Sequence, residues 1–391
     1  MNITQKPTIG LFVDAFYPMI DGVVVVVDQY ARYLQSYANV IVFAPKSTDK
    51  DYVDDFPYTV YRSRQIKLPF SDYSLSLPWI DHHFQHALKK ADLDLVHVHS
   101  PFSIGKMGIM YAKKKNIPVI GTLHSQYHLD FYERTKSELI TKIALNKLIS
   151  TLNQCDELWT VNAYIKDLFE KEGIQKNIYV IPNATDLNYV HLPSNEIDLK
   201  RHYNIRPDEK ILLYVGRIDE LKNLGFLLES LYRLRIKGFK FHMIFVGSGP
   251  YEEKMRTLIK KYGLQDHIHM SGRITNRQAL ALHYKIADLF LFPSIYDSSS
   301  LVQIEAASQK TPTLFLKDTA TASTIKHNIN GYVCEHDSMR YAEMIITIFK
   351  DYKSYLRIKE QCYKDLYRTW FDVTKIVYAR YQSTIHQKKE V

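Results

Sequence analysis

The stretch TIGLFVDAFYPMIDGVVVVVDQYARYL, residues 8–34, contains the pattern from which the fold follows. Residues 8–13 are almost continuously apolar, as is typical of a strand covered on both faces in a parallel sheet. Residues 14–22 form the loop after that strand, so the next element is expected to be a helix that starts near Gly22. The five valines therefore predict the first turns of a helix rather than a second strand.

The apolar side chains after Gly22 follow helical spacing. One face is formed by Val23, Val26, Val27, Tyr30 and Leu34. The valines between them are explained if the helix is buried on most sides.

Two residues at the helix start suggest a ligand site. Asp21 is expected to be the N-cap, and Gly22 would let a ligand approach free backbone amides, which suit phosphate oxygens. The alternative for Gly22 is a tight turn that requires glycine.

Short apolar runs recur along the chain, each followed by a helical pattern. They cover residues 8–13, 39–44, 94–99, 118–123, 157–162 and 177–182, then 210–216, 241–247, 267–272, 287–293 and 311–316. This alternation predicts an α/β fold of two doubly wound, Rossmann-like domains. We expect domains at 1–190 and 191–365, with ligands in the cleft where the domains face each other, beyond the carboxyl ends of the strands.

Composition is that of a globular protein, with 391 residues, 46% hydrophobic and 24% charged. The net charge of +9 arises after residue 195, which suits a polyanionic ligand, an anionic surface or merely solvated lysines. Nucleic acid is not expected as a partner, since no zinc-finger or RNP-like motif is present.

The sequence predicts a cytoplasmic protein, because its three cysteines lie far apart and it contains no signal-peptide pattern and no long apolar run.

Residues 293–313, PSIYDSSSLVQIEAASQKTPT, place acidic side chains next to a predicted anion site. Asp297 precedes Glu305 by eight positions. The segment follows an apolar run, so Ser298–Ser300 are expected to begin a helix. Glu305 would then lie about two turns further along, on the same face as Asp297 if both are helical.

This segment resembles the E-x7-E segment of family 4 glycosyltransferases, which have the two-domain GT-B fold. The matching positions are Pro293, Ser294, Asp297, Leu301, Glu305, Ala306 and Pro312. The departures are Asp297 for Glu, Ser299–Ser300 for Phe-Gly, Ser308 for Ala and Lys310 for Gly.

Further segments resemble the same family in order and spacing. YVGRIDELKNL (214–224) is similar to its G-R-x-x-x-x-K signature and FVGSGPYEEKM (245–255) to its V-G-x-G-P stretch. DAFYPMIDGV (14–23), VHVHSPF (96–102), GTLHSQY (121–127) and IPNATD (181–186) are similar to its N-terminal segments.

The resemblance implies a role for each of five catalytic residues. Arg217 and Lys222 would bind the donor diphosphate, Glu305 the ribose diol, and Asp297 the hydroxyls of the donor sugar. His124 would reach the donor sugar and the reacting centre, whereas His97 and His99 share a strand face and are expected to be structural.

The resemblance also implies a set of donor-binding positions. Backbone groups near Arg273 and Ile274 would contact the nucleobase, without separating uracil from guanine. The remaining expected positions are Gly22, Gly216, Gly247, Ser300 and Leu301, alongside the charged residues above.

The implied activity is transfer of a hexose with retained anomeric configuration, from UDP-glucose or a similar donor, with GDP-mannose as the alternative. No protein nucleophile, cofactor or metal is implied. The pair Asp92 and Asp94 has D-x-D spacing, but it lies at the entrance of a predicted strand and is not expected to bind a metal.

The expected acceptor is a lipid, a lipid-linked glycan or another cell-surface glycan. Residues 134–153 form an amphipathic pattern that suits either peripheral contact with an anionic membrane or packing on the sheet. The tail 366–391 resembles the terminal helix that crosses back to the first domain in GT-B proteins.

Two other functions remain open at this point. The departures at Asp297, Ser299–Ser300 and Ala184–Thr185 suit a catalytically weak binding partner with the same fold. A GT-B nucleotide-sugar epimerase is the other alternative, although the spacing of Arg217 and Lys222 favours a transferase.

Overall fold

The computed structural model describes residues 6–67 and 74–390, which form two compact units. The N-terminal unit comprises residues up to 183 together with the segment from 370, and the C-terminal unit comprises residues 184–369. Within the described ranges, no helix is long and apolar enough to cross a membrane.

The N-terminal unit contains a seven-stranded parallel sheet in the order β3-β2-β1-β6-β7-β8-β9. The strands are β1 (Thr8–Phe12), β2 (Asn39–Pro45), β3 (Thr59–Ser63), β6 (Leu95–Val98), β7 (Val119–Leu123), β8 (Glu157–Thr160) and β9 (Ile178–Val180). A separate antiparallel pair is formed by β4 (Gln65–Lys67) and β5 (Ser74–Ser76). The helices are α1 (Gly22–Leu34), α2 (His82–Lys90), α3 (Ser103–Lys115), α4 (Tyr127–Thr135), α5 (Glu138–Leu152) and α6 (Ala163–Lys171).

The C-terminal unit contains a six-stranded parallel sheet in the order β12-β11-β10-β13-β14-β15. The strands are β10 (Lys210–Val215), β11 (Phe241–Val246), β12 (Ile268–Gly272), β13 (Leu289–Phe292), β14 (Thr313–Leu316) and β15 (Tyr332–Cys334). The helices are α7 (Pro193–His202), α8 (Leu224–Ile236), α9 (Glu252–Lys261), α10 (Arg277–Ile286), α11 (Leu301–Ser308), α12 (Ser338–Lys350) and α13 (Tyr352–Leu366). The last helix, α14 (Trp370–Lys389), returns to the N-terminal unit.

Both sheets have the strand order of a doubly wound fold, with the reversal between β1 and β6 and between β10 and β13. The predicted fold class is confirmed, and every apolar run is a strand. The sequence missed β3, the β4–β5 pair and β15. The sequences of β3 (TVYRS), β4 (QIK) and β5 (SLS) contain polar residues, and β15 (YVC) has only three residues.

The valine run is helical, as expected, but the buried face is shifted. Val24, Val26 and Val27 are buried, whereas Val23 and Val25 are half-buried. Asp21 has extended backbone dihedrals, and its carboxylate accepts the Val24 N–H at 2.8 Å, so it is the N-cap. The helix therefore starts at Gly22 because the aspartate provides an acceptor for an otherwise unpaired amide.

The core of the C-terminal unit explains why its strand runs are so apolar. Residues 211–215, 241, 243–246 and 289–292 are buried in one cluster with the leucines of α8 and with Tyr341 and Ile345 of α12. A parallel strand between two helical layers has no solvent-facing side, so the side chains on both of its faces are apolar.

The C-terminal helix is held in the N-terminal unit by packing and charge. Trp370, Val377 and Tyr381 of α14 are fully buried. The Arg380 guanidinium donates two hydrogen bonds of 2.7 Å to the carboxylate of Glu157 in β8.

The compact units divide at positions that differ slightly from the sequence-based boundaries of 190 and 365. Residues 184–190 belong with the C-terminal unit, where the Val190 N–H donates to Gln309 Oε1 at 2.9 Å. Residues 366–369 also belong there, and the Thr185 N–H donates to the Arg368 carbonyl at 3.0 Å.

Replacing Asp21 with alanine is expected to destabilise the N-terminal unit by about 1 kcal/mol, because the Val24 amide loses its acceptor. A loss of that size lowers the Tm of a domain this large by about 2–4 °C. All three tryptophans, Trp79, Trp159 and Trp370, lie in the N-terminal unit, so thermal unfolding followed by tryptophan fluorescence measures it. Asp21→Ser preserves a capping oxygen and should retain the wild-type Tm; equal Tm values for Asp21→Ala and wild type would contradict the capping role.

Candidate active site

The predicted site residues lie at the carboxyl ends of strands on either side of each topological reversal. Loops after β10 and β13 carry Arg217, Lys222 and Asp297, and loops after β1 and β7 carry Gly22 and His124. In doubly wound folds, ligands bind where the loops on the two sides of such a reversal diverge. Within each unit, the topology thus brings these residues to the edge of the sheet where a ligand is expected.

Glycines allow the loops after β10 and β11 to pack backbone against backbone. A Cβ on Gly247 would lie 1.9 Å from the Gly216 carbonyl oxygen, and one on Gly249 would lie 2.3 Å from the Ile218 carbonyl oxygen. Four backbone hydrogen bonds join the neighbouring loops: Gly216 to Val246, Ile218 to Ser248, Tyr251 to Ile218 and Gly247 to Gly272. Gly247 and Gly249 are therefore required by the close packing of these loops, whatever ligand the loops contact.

Two cations extend from the loop after β10. The Arg217 side chain is about half exposed, and its Nε lies 3.4 Å from an Asp219 carboxylate oxygen. The Lys222 ammonium donates a 2.6 Å hydrogen bond to Asp297 Oδ1, with both side chains about one-fifth exposed. Asn223 also joins the two loops, since its side-chain amide donates to the Pro293 carbonyl at 3.2 Å. Lys222 and Asp297, 75 positions apart in sequence, are thus brought together as predicted residues of one site.

The helix after β13 begins later than predicted. Ser300 has extended dihedrals and its hydroxyl accepts the Gln303 N–H, so α11 starts at Leu301 instead of at the first serine. Asp297 lies in the preceding loop and does not share a helical face with Glu305, so that expectation was wrong. The first amides of α11, including that of Leu301, have no carbonyl partner within the helix and favour an anion nearby.

Glu305 is buried in a network that the sequence did not predict. Its Oε1 accepts a 2.7 Å hydrogen bond from Arg277, and its Oε2 accepts one of 2.9 Å from the Tyr284 hydroxyl. Arg277 and Tyr284 are seven residues apart on α10, so both face α11. Arg277 also binds the carboxylate of Asp186, and the two carboxylates raise the pKa of its guanidinium. Each Glu305 oxygen still has a lone pair for a further donor such as a ribose hydroxyl.

The expected nucleobase segment follows β12. Gly272 has φ +70°, the left-handed region, so the chain turns sharply there. Arg273 is exposed, whereas Ile274 is half-buried against the core of the C-terminal unit. The backbone of this segment is therefore anchored by Ile274 while Arg273 remains open to solvent.

Gly22 does not have the conformation that would require glycine. Its φ is not positive, and a Cβ built there would meet no atom within 4 Å. The tight-turn alternative therefore gives no reason for glycine at this position, whereas open space above a helix N-terminus suits close approach of a ligand.

Asp14 was not singled out from the sequence. Its buried carboxylate accepts N–H groups of Phe102, Ile104 and Gly105, at 3.2, 2.8 and 3.3 Å, and so acts as the cap of α3. Burial raises its pKa to about 6 despite these bonds. Gly105 is needed beside it, because a Cβ there would lie 1.9 Å from the Ser100 carbonyl oxygen.

His124 follows β7 directly and is half-buried. Its Nε2 lies 3.0 Å from Nδ1 of His99, which follows β6. Burial lowers the pKa of His124 to about 4, so the imidazole is neutral at physiological pH. A neutral imidazole offers one donor and one acceptor without a charge.

The Asp92–Asp94 pair lies away from the site. Asp94 Oδ2 accepts the Thr8 N–H at 2.8 Å, at the amino ends of β1 and β6. Across the part of the chain that the structure describes, no group of three or more His, Cys, Asp or Glu side chains could hold a metal ion.

Comparison with known proteins covers both units. The sequence profile described as Glycosyltransferase Family 4 matches residues 20–189, and that described as Glycosyl transferases group 1 matches residues 195–365. Alpha-monoglucosyldiacylglycerol synthase of Acholeplasma laidlawii is 26% identical over 335 residues, which are 83% of each chain.

Solved structures share the fold over nearly the whole chain. Sucrose-phosphate synthase from Thermosynechococcus elongatus has a TM-score of 0.80 at 19% identity, covering 98% of this chain and 100% of that one. HepE of Anabaena in complex with UDP-glucose has a TM-score of 0.77 at 15% identity, covering 96% and 100%. The predicted GT-B architecture of two Rossmann-like domains is thereby confirmed.

Gly247→Ala is expected to destabilise the C-terminal unit by about 2 kcal/mol or more, since the new methyl group would overlap the Gly216 carbonyl. Amide hydrogen exchange measured by mass spectrometry should show lost protection in β10 and β11. Gly238→Ala is the matched control: its φ is also positive, at +74°, but no atom lies within 4 Å of the new Cβ. Equal losses of protection in the two variants would show that the carbonyl contact contributes nothing.

Proposed function

Because the chain belongs to the family 4, group 1 glycosyltransferases, we propose that it transfers a hexose from a nucleotide-diphosphate sugar to a glycolipid acceptor with retention of the anomeric configuration. The preferred donor is UDP-glucose or a similar sugar nucleotide, and the acceptor is a lipid or lipid-linked glycan.

The names of similar proteins support this choice. The relative in Acholeplasma laidlawii is an alpha-monoglucosyldiacylglycerol synthase, which suggests a glucosyl donor, a lipid acceptor and an alpha product. HepE, which shares the fold, was solved with UDP-glucose. At these identities the names support a class of substrate, and the choice among UDP and GDP sugars rests on measurement.

The observation that carries the proposal is the meeting of Lys222 with Asp297 at the topological reversal, next to Arg217. As the glycosidic bond to the diphosphate breaks, negative charge grows on the leaving phosphate. A guanidinium offers a planar pair of donors and an ammonium a compact charge, and both stabilise that charge most if they are held in place beforehand. The N-terminal amides of α11 add donors at the same edge of the sheet.

The carboxylates are assigned to the sugars of the donor. We place the ribose hydroxyls on Glu305, whose position is fixed by Arg277 and Tyr284. Asp297 accepts from hydroxyls of the transferred hexose while Lys222 balances its charge. We assign to His124 the role of a neutral hydrogen-bonding group for the hexose.

We propose that the reaction proceeds without a metal or other cofactor. The support is the pair of cationic hydrogen-bond donors, Arg217 and Lys222, which can stabilise the charge that develops on a leaving diphosphate. The leaving phosphate is then the base that accepts the acceptor's hydroxyl proton.

A membrane surface is proposed as the place where the acceptor is met. The first half of α5 exposes Leu139, Ile140 and Ile143, with 71%, 52% and 61% of each residue accessible. Lys142 and Lys147 are exposed on the same helix. The second half, by contrast, buries Leu145, Leu148, Ile149 and Leu152. Both sequence-based alternatives for this helix therefore have support, each in a different half, and exposed apolar side chains beside lysines suit an anionic bilayer.

Donor hydrolysis and transfer assays separate the proposed function from its alternatives. Purified protein is incubated with UDP-glucose, UDP-galactose, UDP-GlcNAc or GDP-mannose, with and without diacylglycerol in mixed micelles. Acceptor-dependent release of the nucleotide supports the proposal. Tight nucleotide binding with no release would identify a binding partner, and an epimerised sugar in the absence of acceptor would identify an epimerase.

Lys222→Ala is expected to lower turnover by about 10²–10³, because the leaving diphosphate loses a fixed positive charge. Initial rates are measured with the donor that the assay selects, at saturating acceptor. Arg217→Ala should lower turnover by a similar factor. Because the Arg217 side chain is about half exposed, this substitution should leave the fold intact.

Lys254→Ala is the matched control. Lys254 also pairs with a carboxylate of the same unit, at 2.8 Å from Glu220, but on an exposed face. It should retain wild-type turnover and Tm. Wild-type turnover in Lys222→Ala would remove this lysine from the diphosphate site.

Substituting Leu139, Ile140 and Ile143 together with serine is expected to weaken binding to phosphatidylglycerol vesicles at least tenfold, since insertion of each apolar side chain contributes about 1.5 kcal/mol or more. Co-sedimentation measures the bound fraction. A triple variant at Ile236, Ile329 and Leu356, which are 63%, 45% and 44% exposed in the C-terminal unit, controls for lost surface hydrophobicity. Equal vesicle binding by both triple variants would eliminate α5 as the membrane contact.

A further inference from the structure

Three histidines form a cluster at the carboxyl ends of β6 and β7, in which His97 and His99 are buried and His124 is half-buried. The ring centroids of His97 and His99 are 4.0 Å apart, and those of His99 and His124 are 5.3 Å apart and nearly parallel. Tyr30 of α1 packs edge-on against His99. His97 therefore packs closely against the His99 ring, whereas His124 meets the edge of His99 through the contact between Nδ1 and Nε2.

The innermost ring, His97, is fixed at both nitrogens. Its Nδ1 lies 2.6 Å from the Tyr381 hydroxyl of α14, and its Nε2 lies 2.6 Å from the Thr122 hydroxyl of β7. His97 thereby provides a fixed platform against which the His99 ring is packed.

All three rings are neutral at physiological pH. Burial lowers the pKa of His97 and of His99 well below the usual value of 6.5, and the neighbouring histidines lower both further. Each neutral ring carries one N–H, so the 3.0 Å contact between His99 Nδ1 and His124 Nε2 has one donor and one acceptor.

The other nitrogen of His99 decides which ring donates. His99 is 1% exposed, and its Nε2 is buried with no hydrogen-bond partner in residues 6–67 and 74–390. If His124 donated, His99 would carry its proton on Nε2 and bury an unpaired N–H. If His99 donates from Nδ1, only a bare acceptor is buried, which proteins tolerate more often. The second arrangement leaves the proton of His124 on Nδ1.

We propose that His99 is a positioning residue that holds His124 in the tautomer protonated at Nδ1, so that His124 presents an N–H donor to its ligand. The consequence for catalysis rests on the proposed function. There, His124 would donate to an oxygen of the transferred hexose and would not act as a base through that nitrogen. The tautomer itself is a property of the free protein and does not depend on any substrate.

The tautomer is tested by long-range ¹H–¹⁵N correlation spectra of the ¹⁵N-histidine-labelled wild-type protein near pH 7. His97, His99 and His124 are assigned by comparison with single variants. We expect a protonated Nδ1 and a bare Nε2 for both His99 and His124. A protonated Nε2 on His124 would overturn the proposal, whatever the protein's activity.

Two substitutions separate the hydrogen bond from packing. Asn carries a side-chain N–H near the position of the histidine Nδ1, so His99→Asn should retain the protonated Nδ1 of His124. His99→Phe retains a ring but offers no donor. In this variant we expect proton signal to appear on His124 Nε2 and kcat to fall about five- to tenfold, the factor that corresponds to one hydrogen bond, with little change in KM for the donor.

The readouts distinguish failure of this inference from failure of the proposed function. If wild type has the expected tautomer but no transferase activity with any donor, the inference stands and the proposed function fails. If His99→Phe retains both the wild-type tautomer of His124 and the wild-type kcat, the positioning role is wrong. Should His99→Phe fail to fold, the wild-type spectrum together with His99→Asn still decides the tautomer.

Discussion

Close backbone contact between glycine-containing loops is the constraint on which the candidate donor site depends. The Gly216 carbonyl occupies the space that a Cβ of Gly247 would need, and the Ile218 carbonyl does the same at Gly249. Backbone hydrogen bonds then fix the loop that carries Arg217 and Lys222 without using those side chains. The two cations therefore extend from a rigid base. In the proposed reaction, fixed charges of this kind would stabilise the leaving group at little reorganisation cost.

At the carboxyl ends of their strands, the two units differ in the charge of their polar side chains. In the C-terminal unit the charges are retained and paired, Lys222 with Asp297 and Arg277 with Glu305. In the N-terminal unit, burial makes the histidines neutral, and polarity is provided by N–H and hydroxyl groups. The first arrangement suits a diphosphate and the second suits sugar hydroxyls, because a neutral donor binds a hydroxyl without the desolvation cost of a buried ion.

Features that depend on residues close together in the sequence could be predicted from it. Strands buried between helical layers are continuously apolar, so the strand series and the doubly wound class could be predicted. The N-cap Asp21 could also be predicted, since it lies only three residues before Val24, whose amide it accepts. The strand β3, with the sequence TVYRS, has no such pattern and was missed. The start of α11 was placed too early because Ser298, Ser299 and Ser300 all suit an N-cap, and only tertiary structure selects the last. The partners of Glu305, 28 and 21 positions away on another helix, and the capping of α3 by Asp14 have no local signature.

The departures from the family pattern have structural explanations that bear on the alternative of a catalytically weak partner. Asp297 is one methylene shorter than glutamate, yet it lies in a loop and its carboxylate meets Lys222 at 2.6 Å. Ser300, in place of the usual glycine, supplies the hydroxyl that caps α11. Ala184 is buried, and Thr185 pairs with residues 368 and 369 of the same unit. Each substitution thus retains or creates a contact in the folded protein. A departure from the usual family residue at these positions is therefore not by itself an argument for loss of transferase chemistry.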